Sequence, residues 1–124
     1  MAGQARKADS MSGAKSRRTG NVAEQAVCAA LERMGVAAIT SRNARGGAQK
    51  GPDIIAPDLP VSVEVKNGSR DELPSWVDQA VEQGDESAPG AVWHKRRGRA
   101  DAEDWFVTMR ARDFVELVRI RVEF

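Results

Sequence analysis

Two short stretches hold the residues best suited to chemistry. Asp53 follows a proline in Gly51-Pro52-Asp53, and eleven residues later Glu64-Val65-Lys66 sets a carboxylate two residues before a lysine. In a strand, period two places Glu64 and Lys66 on one face. Two carboxylates from neighbouring strands can converge on one hard cation. Mg²⁺ takes such oxygen ligands while keeping positions open for water and phosphate. A lysine on the same face can orient an attacking water and offset charge on a phosphoryl transition state. The backbone carbonyl of Val65 lies between them as a further candidate ligand. Glu24, on an upstream helical stretch, can reach the same cation directly or through water.

Periodicity indicates the elements that must position these side chains. Ala23, Ala26, Val27, Ala30, Leu31 and Met34 recur at spacings of three and four, which predicts a helix from Asn21 to a stop at Gly35. Val36–Thr40 reads as a short strand. Ser41–Gly51, with Arg42, Arg45 and Lys50 among three glycines, reads as a mobile basic loop beside Asp53. Pro52–Ala56 is a second expected strand, and Pro57–Pro60 a turn. In Val61–Lys66 the valines alternate with Ser62, Glu64 and Lys66. Residues 71–86 are expected to form a helix, with Pro74 near its start and Trp76, Val77, Ala80 and Val81 as its apolar stripe. Gly90–His94 reads as a strand, Lys95–Asp101 as a basic turn, Asp104–Arg110 as a strand and Ala111–Val118 as a helix. The expected order is α-β-β-β-α-β-β-α, a mixed α/β domain over residues 20–124. Residues 1–19 read as a disordered basic arm.

Composition removes several alternatives. The chain has 124 residues, 41% apolar and 30% charged, an ordinary balance for one globular domain. Cys28 is its one cysteine and His94 its one histidine, which rules out an intramolecular disulfide, a cysteine zinc cluster and a His-rich metal site. No apolar run is long enough for a membrane span, and the N-terminus carries no signal-type apolar segment, so a soluble cytosolic protein is expected.

The net charge of +1 conceals an uneven distribution. Residues 1–20 have five basic and one acidic side chain, residues 21–93 six basic and eleven acidic, and residues 94–124 eight basic and six acidic. An acidic middle between basic ends suits a cation site flanked by phosphate contacts. Lys95, Arg96, Arg97 and Arg99 supply one basic cluster, and Arg42, Arg45 and Lys50 another. Trp76, Trp93 and Trp105 are expected in the core or at an interface, Cys28 in the core, and His94 in a structural role.

Taken with the preceding Arg18-Thr19-Gly20-Asn21-Val22-Ala23-Glu24, these motifs resemble the PD-(D/E)XK nuclease superfamily. Within it, the chain looks most like the small Holliday junction resolvases, phage members included, over residues 17–118. The resemblance implies a restriction-endonuclease-like mixed β-sheet flanked by helices, with an α-β-β-β-α-β core. It further implies an endonuclease dependent on Mg²⁺ or Mn²⁺ that hydrolyses DNA phosphodiesters. Glu24 would match the helix acid, Asp53 and Glu64 the metal carboxylates and Lys66 the catalytic lysine. Gln79 is the nearest match for a further polar residue on the following helix, with Gln83 equally placed by spacing. Branched DNA, a homodimer and a bacterial cytoplasm are the implied substrate, assembly and compartment, with Trp76 or Phe114 at the dimer interface. Asp71 and Glu72, just after Lys66, depart from what would face a phosphate backbone. A nicking, repair or restriction-type nuclease of the same fold is the alternative, as is a non-catalytic DNA-binding protein.

Overall fold

A computed structural model describes residues 20–45 and 51–122, and the side chains within them except those of residues 44, 45, 70 and 120–122. The basic arm expected over residues 1–19 and Lys50 therefore lie outside the described residues, as does the side chain of Arg45.

Helix α1 (residues 20–33) turns Ala23, Val27, Ala30 and Leu31 inward, all at most 3% exposed. Gly35 stops it in the left-handed region at φ +86°, where a side chain would be strained. The Gly35 N–H donates to the Glu32 carbonyl at 3.0 Å and the Val36 N–H to the Leu31 carbonyl at 2.8 Å, which satisfies the last carbonyls of the helix.

Strand β1 (Ile39–Thr40) is shorter than the expected Val36–Thr40. The basic segment after it begins as a short helix, α2 (Ser41–Arg45), not as a loop. Thr40 explains the change, since its Oγ1 accepts the Asn43 N–H at 3.2 Å and caps the turn. Strand β2 (Ile54–Ile55) pairs antiparallel with β1 and with β3 (Ser62–Lys66). A 3₁₀ turn at Arg70–Glu72 leads into α3 (Leu73–Gln83). Strand β4 (Gly90–His94) has the expected bounds. Another 3₁₀ turn (Ala102–Asp104) precedes β5 (Phe106–Thr108). Helix α4 (Ala111–Val122) runs past the expected end at Val118.

Among the described residues, five strands form one mixed sheet in the order β1-β2-β3-β4-β5. Strands β3 and β4 are parallel, with Glu64 opposite Val92 and Lys66 opposite His94, and α3 is the crossover between them. The other neighbours are antiparallel. The protein is thus α/β with helices against a mixed sheet.

The central strand β3 is covered on both sides, since Ser62, Val63, Glu64 and Val65 are all buried. Its valine face joins α1, Trp93 and Trp105 in one apolar cluster. On the α3 side, Trp76 and Ala80 pack with Val92. Gly90 permits this close approach, because a Cβ there would sit 1.9 Å from the Ala80 carbonyl oxygen. Trp76 is 8% exposed, which removes it from any interface role. Phe114, Val115 and Val118 on α4 stay exposed. No helix among the described residues is long and apolar enough to cross a membrane.

Candidate active site

Asp53 is tied down from three directions. Its N–H donates to the Val63 carbonyl at 3.0 Å, and its carbonyl accepts from the Ser41 N–H at 2.9 Å. Its carboxylate Oδ2 accepts the Val65 N–H at 2.8 Å. The Ser41 hydroxyl also bonds the Pro52 carbonyl. The residue after the proline is therefore anchored to β3 and to the start of α2, with its carboxylate inside the Glu64-Val65-Lys66 strand. The Val65 carbonyl belongs to the same residue whose N–H holds Asp53.

Glu64 is only 3% exposed. Burial, then the charge of Asp53 and a hydrogen bond to it, push the Glu64 carboxyl up to about 8; Lys66 pulls the other way, and Glu24 adds to the rise. Glu24, half-buried on α1, is also raised, first by burial and then by Asp53, while Arg42 at the start of α2 opposes the rise. The three carboxylates thus act on one another from a helix, a loop and a strand.

Lys66 extends from the end of β3, and its Nζ donates to the Gln79 Oε1 at 2.7 Å. Helix spacing alone left Gln79 and Gln83 equivalent, whereas the fold separates them. Gln79 reaches Lys66, while the Gln83 carbonyl accepts from the Ser62 hydroxyl at 3.5 Å, at the opposite end of β3.

Among the described residues, no group of three or more His, Cys, Asp or Glu side chains is arranged to hold a metal ion. The donor chemistry nonetheless fits a hard divalent cation. Asp53 and Glu64 are carboxylates in contact, and their mutual repulsion is what a cation relieves.

The basic residues divide. Arg42 is exposed and acts on Glu24. Lys95, Arg96 and Arg97 line a cleft of about 560 Å³ together with Gly68, Ser69, His94 and Phe106. Arg99 is exposed outside this lining, and its backbone carbonyl accepts the Trp105 indole N–H at 2.8 Å. Sequence reasoning missed Gly68, Ser69 and Phe106 as members of this cleft. Their signal was positional. Gly68 and Ser69 follow β3 and Lys95 follows β4, at the carboxyl ends of a parallel strand pair, where α/β sheets open crevices.

His94 is 6% exposed, and its Nε2 lies 2.9 Å from the Thr108 hydroxyl, with the Trp76 and Phe106 rings near it. These contacts suit the structural role expected for it. Cys28 is half-buried, and burial, with help from Glu32 and Glu24, pushes its thiol up to about 11, which keeps it protonated and unreactive. Compared with protein-family models, curated proteins and solved structures, the chain matches none of them.

Proposed function

We propose that this chain is a divalent-cation-dependent DNA endonuclease of the PD-(D/E)XK kind, hydrolysing phosphodiester bonds. The observation that carries the reading is the Asp53 carboxylate bonded to the Val65 N–H and in contact with Glu64. The two halves of the sequence motif meet there, with Lys66 on the same strand. A mixed sheet whose parallel β3 and β4 are joined through α3 also suits the α-β-β-β-α-β core that the resemblance implies, with α2 as an addition.

In this reading Asp53, Glu64 and the Val65 carbonyl hold Mg²⁺ or Mn²⁺, with Glu24 supporting them. The bound ion supplies Lewis-acid activation of water and neutralises charge on the phosphate. The remaining work falls to the chain. Lys66 positions the attacking water in line with the leaving oxygen and offsets charge on the phosphoryl group as it transfers. Gln79 restrains the lysine, so that its ammonium has one preferred direction. Arg42, with Arg45 and Lys50 beyond it, and the Lys95–Arg99 turn contact phosphates. Branched DNA as substrate, a homodimer and a bacterial cytoplasm complete the reading and rest on the resemblance.

The test is cleavage of a synthetic four-way junction, a flap and a linear duplex, each with Mg²⁺, Mn²⁺ or EDTA. Metal-dependent cutting that favours the junction is expected. No cutting of any substrate with either metal sinks the enzyme reading, and equal cutting of all three sinks the preference for branches.

A further inference from the structure

Hydrogen bonds brace the basic segment between β4 and β5 along its length. At its start, the Lys95 N–H donates to the Lys66 carbonyl at 2.9 Å, which joins the segment to the end of the strand that carries Glu64. At its tip, the Arg99 N–H donates to the Arg96 carbonyl at 3.1 Å and Gly98 takes φ +80°. Arg97 has no positive φ, so this is the type II pattern, whose third residue is glycine or asparagine. Trp105 lies in the core at 7% exposure, and its indole N–H donates to the Arg99 carbonyl at 2.8 Å. At the far end, the Asp101 carboxylate accepts the Glu103 N–H at 3.0 Å and the Arg33 guanidinium of α1 at 2.9 Å. The Ala102 carbonyl accepts the Trp93 indole N–H at 3.1 Å. Arg96 rests its guanidinium 4.8 Å from the centroid of the Phe106 ring, while Lys95, Arg97 and Arg99 are exposed.

Lys95, Arg96, Arg97 and Arg99 put four cations within five residues, and like charges that close repel one another. Bonds that hold them in place against that repulsion have a use when a polyanion arrives. Cations fixed before binding spare the ordering cost at binding. We propose that the Lys95–Arg99 turn is a pre-set clamp for the phosphates of a DNA duplex, with Trp105 and Gly98 as its positioning residues. Neither adds a charge. Trp105 fixes the Arg99 carbonyl, and Gly98 fixes the path of the backbone between Arg97 and Arg99. The inference rests on the nuclease reading and deepens it, by separating how phosphates are held from how one is cut.

The test measures binding of a fluorescein-labelled DNA duplex to the full chain by anisotropy, in EDTA and over a range of salt. Nothing lies within 4 Å of a Cβ added at Gly98, so a substitution there acts first on the backbone. Gly98→Val disfavours the positive φ and is expected to weaken binding about 5-fold. Gly98→Asn, which tolerates that φ, is expected to restore binding to within about 2-fold of wild type. Trp105→Phe, which keeps a ring in the core without the N–H, is expected to match Gly98→Val. No charge is lost in either, so the slope of log affinity against log salt is expected to stay at its wild-type value, whereas Arg97→Ala lowers it by about one. Melting temperatures show which variants are folded, and the Gly98 pair decides if Trp105→Phe is not. Wild-type affinity in Gly98→Val, equal losses in Gly98→Val and Gly98→Asn, or a salt slope in Gly98→Val as low as that of Arg97→Ala overturns the inference. Duplex binding and cleavage with no Gly98 effect refute the clamp alone. The Gly98 effect without cleavage under any metal refutes the nuclease reading alone.

Discussion

The Val65 N–H donates to the Asp53 carboxylate at 2.8 Å, across twelve residues of sequence. That bond fastens the acid after the proline to the backbone between Glu64 and Lys66. It makes the spacing of the two motifs a fact of geometry, and it separates the structural from the chemical contribution of Asp53.

Asp53→Asn keeps an oxygen that can accept the Val65 N–H, while Asp53→Ala leaves that donor without its partner at a cost of about 1–3 kcal/mol. Denaturant unfolding is expected to show Asp53→Ala less stable by that amount and Asp53→Asn close to wild type. If the proposed nuclease role holds, both are expected to lose metal-dependent cleavage by at least about 100-fold, since both remove the charge proposed to hold the cation. Retained cleavage in Asp53→Asn counts against the assigned role.

The raised Glu64 carboxyl gives stability a definite pH dependence in EDTA. Its folded value of about 8 stands above the ordinary 4.5, so the folded state holds a proton that the unfolded state gives up. The resulting stability is fully present below pH 4.5 and is lost as pH rises through about 8. Melting temperatures are expected to fall across that window as the unfolding free energy drops by an amount on the order of a few kcal/mol. Glu64→Gln, which cannot ionise, is expected to flatten the profile. An unchanged slope in that variant assigns the dependence elsewhere.

Gln79 and Gln83 give a matched pair. Gln79→Ala is expected to slow single-turnover cleavage about 10- to 100-fold without moving the melting temperature, because Lys66 loses the acceptor that aims it. Gln83→Ala is expected to cleave at the wild-type rate, since only its backbone carbonyl is engaged. Equal rates for the two variants would remove Gln79 from the site.

Gly90 acts from outside the site. A methyl there meets the Ala80 backbone at 1.9 Å from oxygen and 2.2 Å from carbon, so α3 must shift. Gly90→Ala is expected to destabilise the fold by about 1–3 kcal/mol. Through the displaced Gln79 it is also expected to lower the cleavage rate under conditions where the chain remains folded. Circular dichroism and single-turnover kinetics read the two effects separately.

The dimer proposal has its own test. Phe114 is 55% exposed on α4, beside Val115 at 52% and Val118 at 43%. Light scattering after size exclusion is expected to give a dimer mass for the wild type and a monomer mass for Phe114→Asp. A monomeric wild type overturns the homodimer.

Several elements were legible because local pattern and final environment agree. The run Gly90–His94 forms β4 with the expected bounds, since every residue in it is buried and an apolar run is the signature of a central strand. The α1 stripe and its stop at Gly35 follow from helical spacing and from glycine's access to positive φ. The start of the basic segment after Thr40 is not legible as helix, because its glycines and charges suggest a loop and the capping hydroxyl that begins α2 is a single residue. Residues 36–38 read as strand from their apolar content, which cannot show that only Ile39 and Thr40 find a partner in β2.

By itself the sequence determined the residue types of the candidate site, the period-two placement of Glu64 with Lys66, the mixed α/β class and the exclusion of a cysteine zinc cluster or a His-rich metal site. Tertiary structure alone decided that Glu64 is buried against Asp53, that Gln79 and not Gln83 meets Lys66, that Trp76 lies inside, and that Gly68, Ser69 and Phe106 join Lys95, Arg96 and Arg97 around one cleft. The physical reason is that periodicity reports which way a side chain points from its own element. The field at a carboxylate and the partner of a lysine depend on which elements the chain brings alongside, and that is set by strand pairing and by how closely α3 can approach β4.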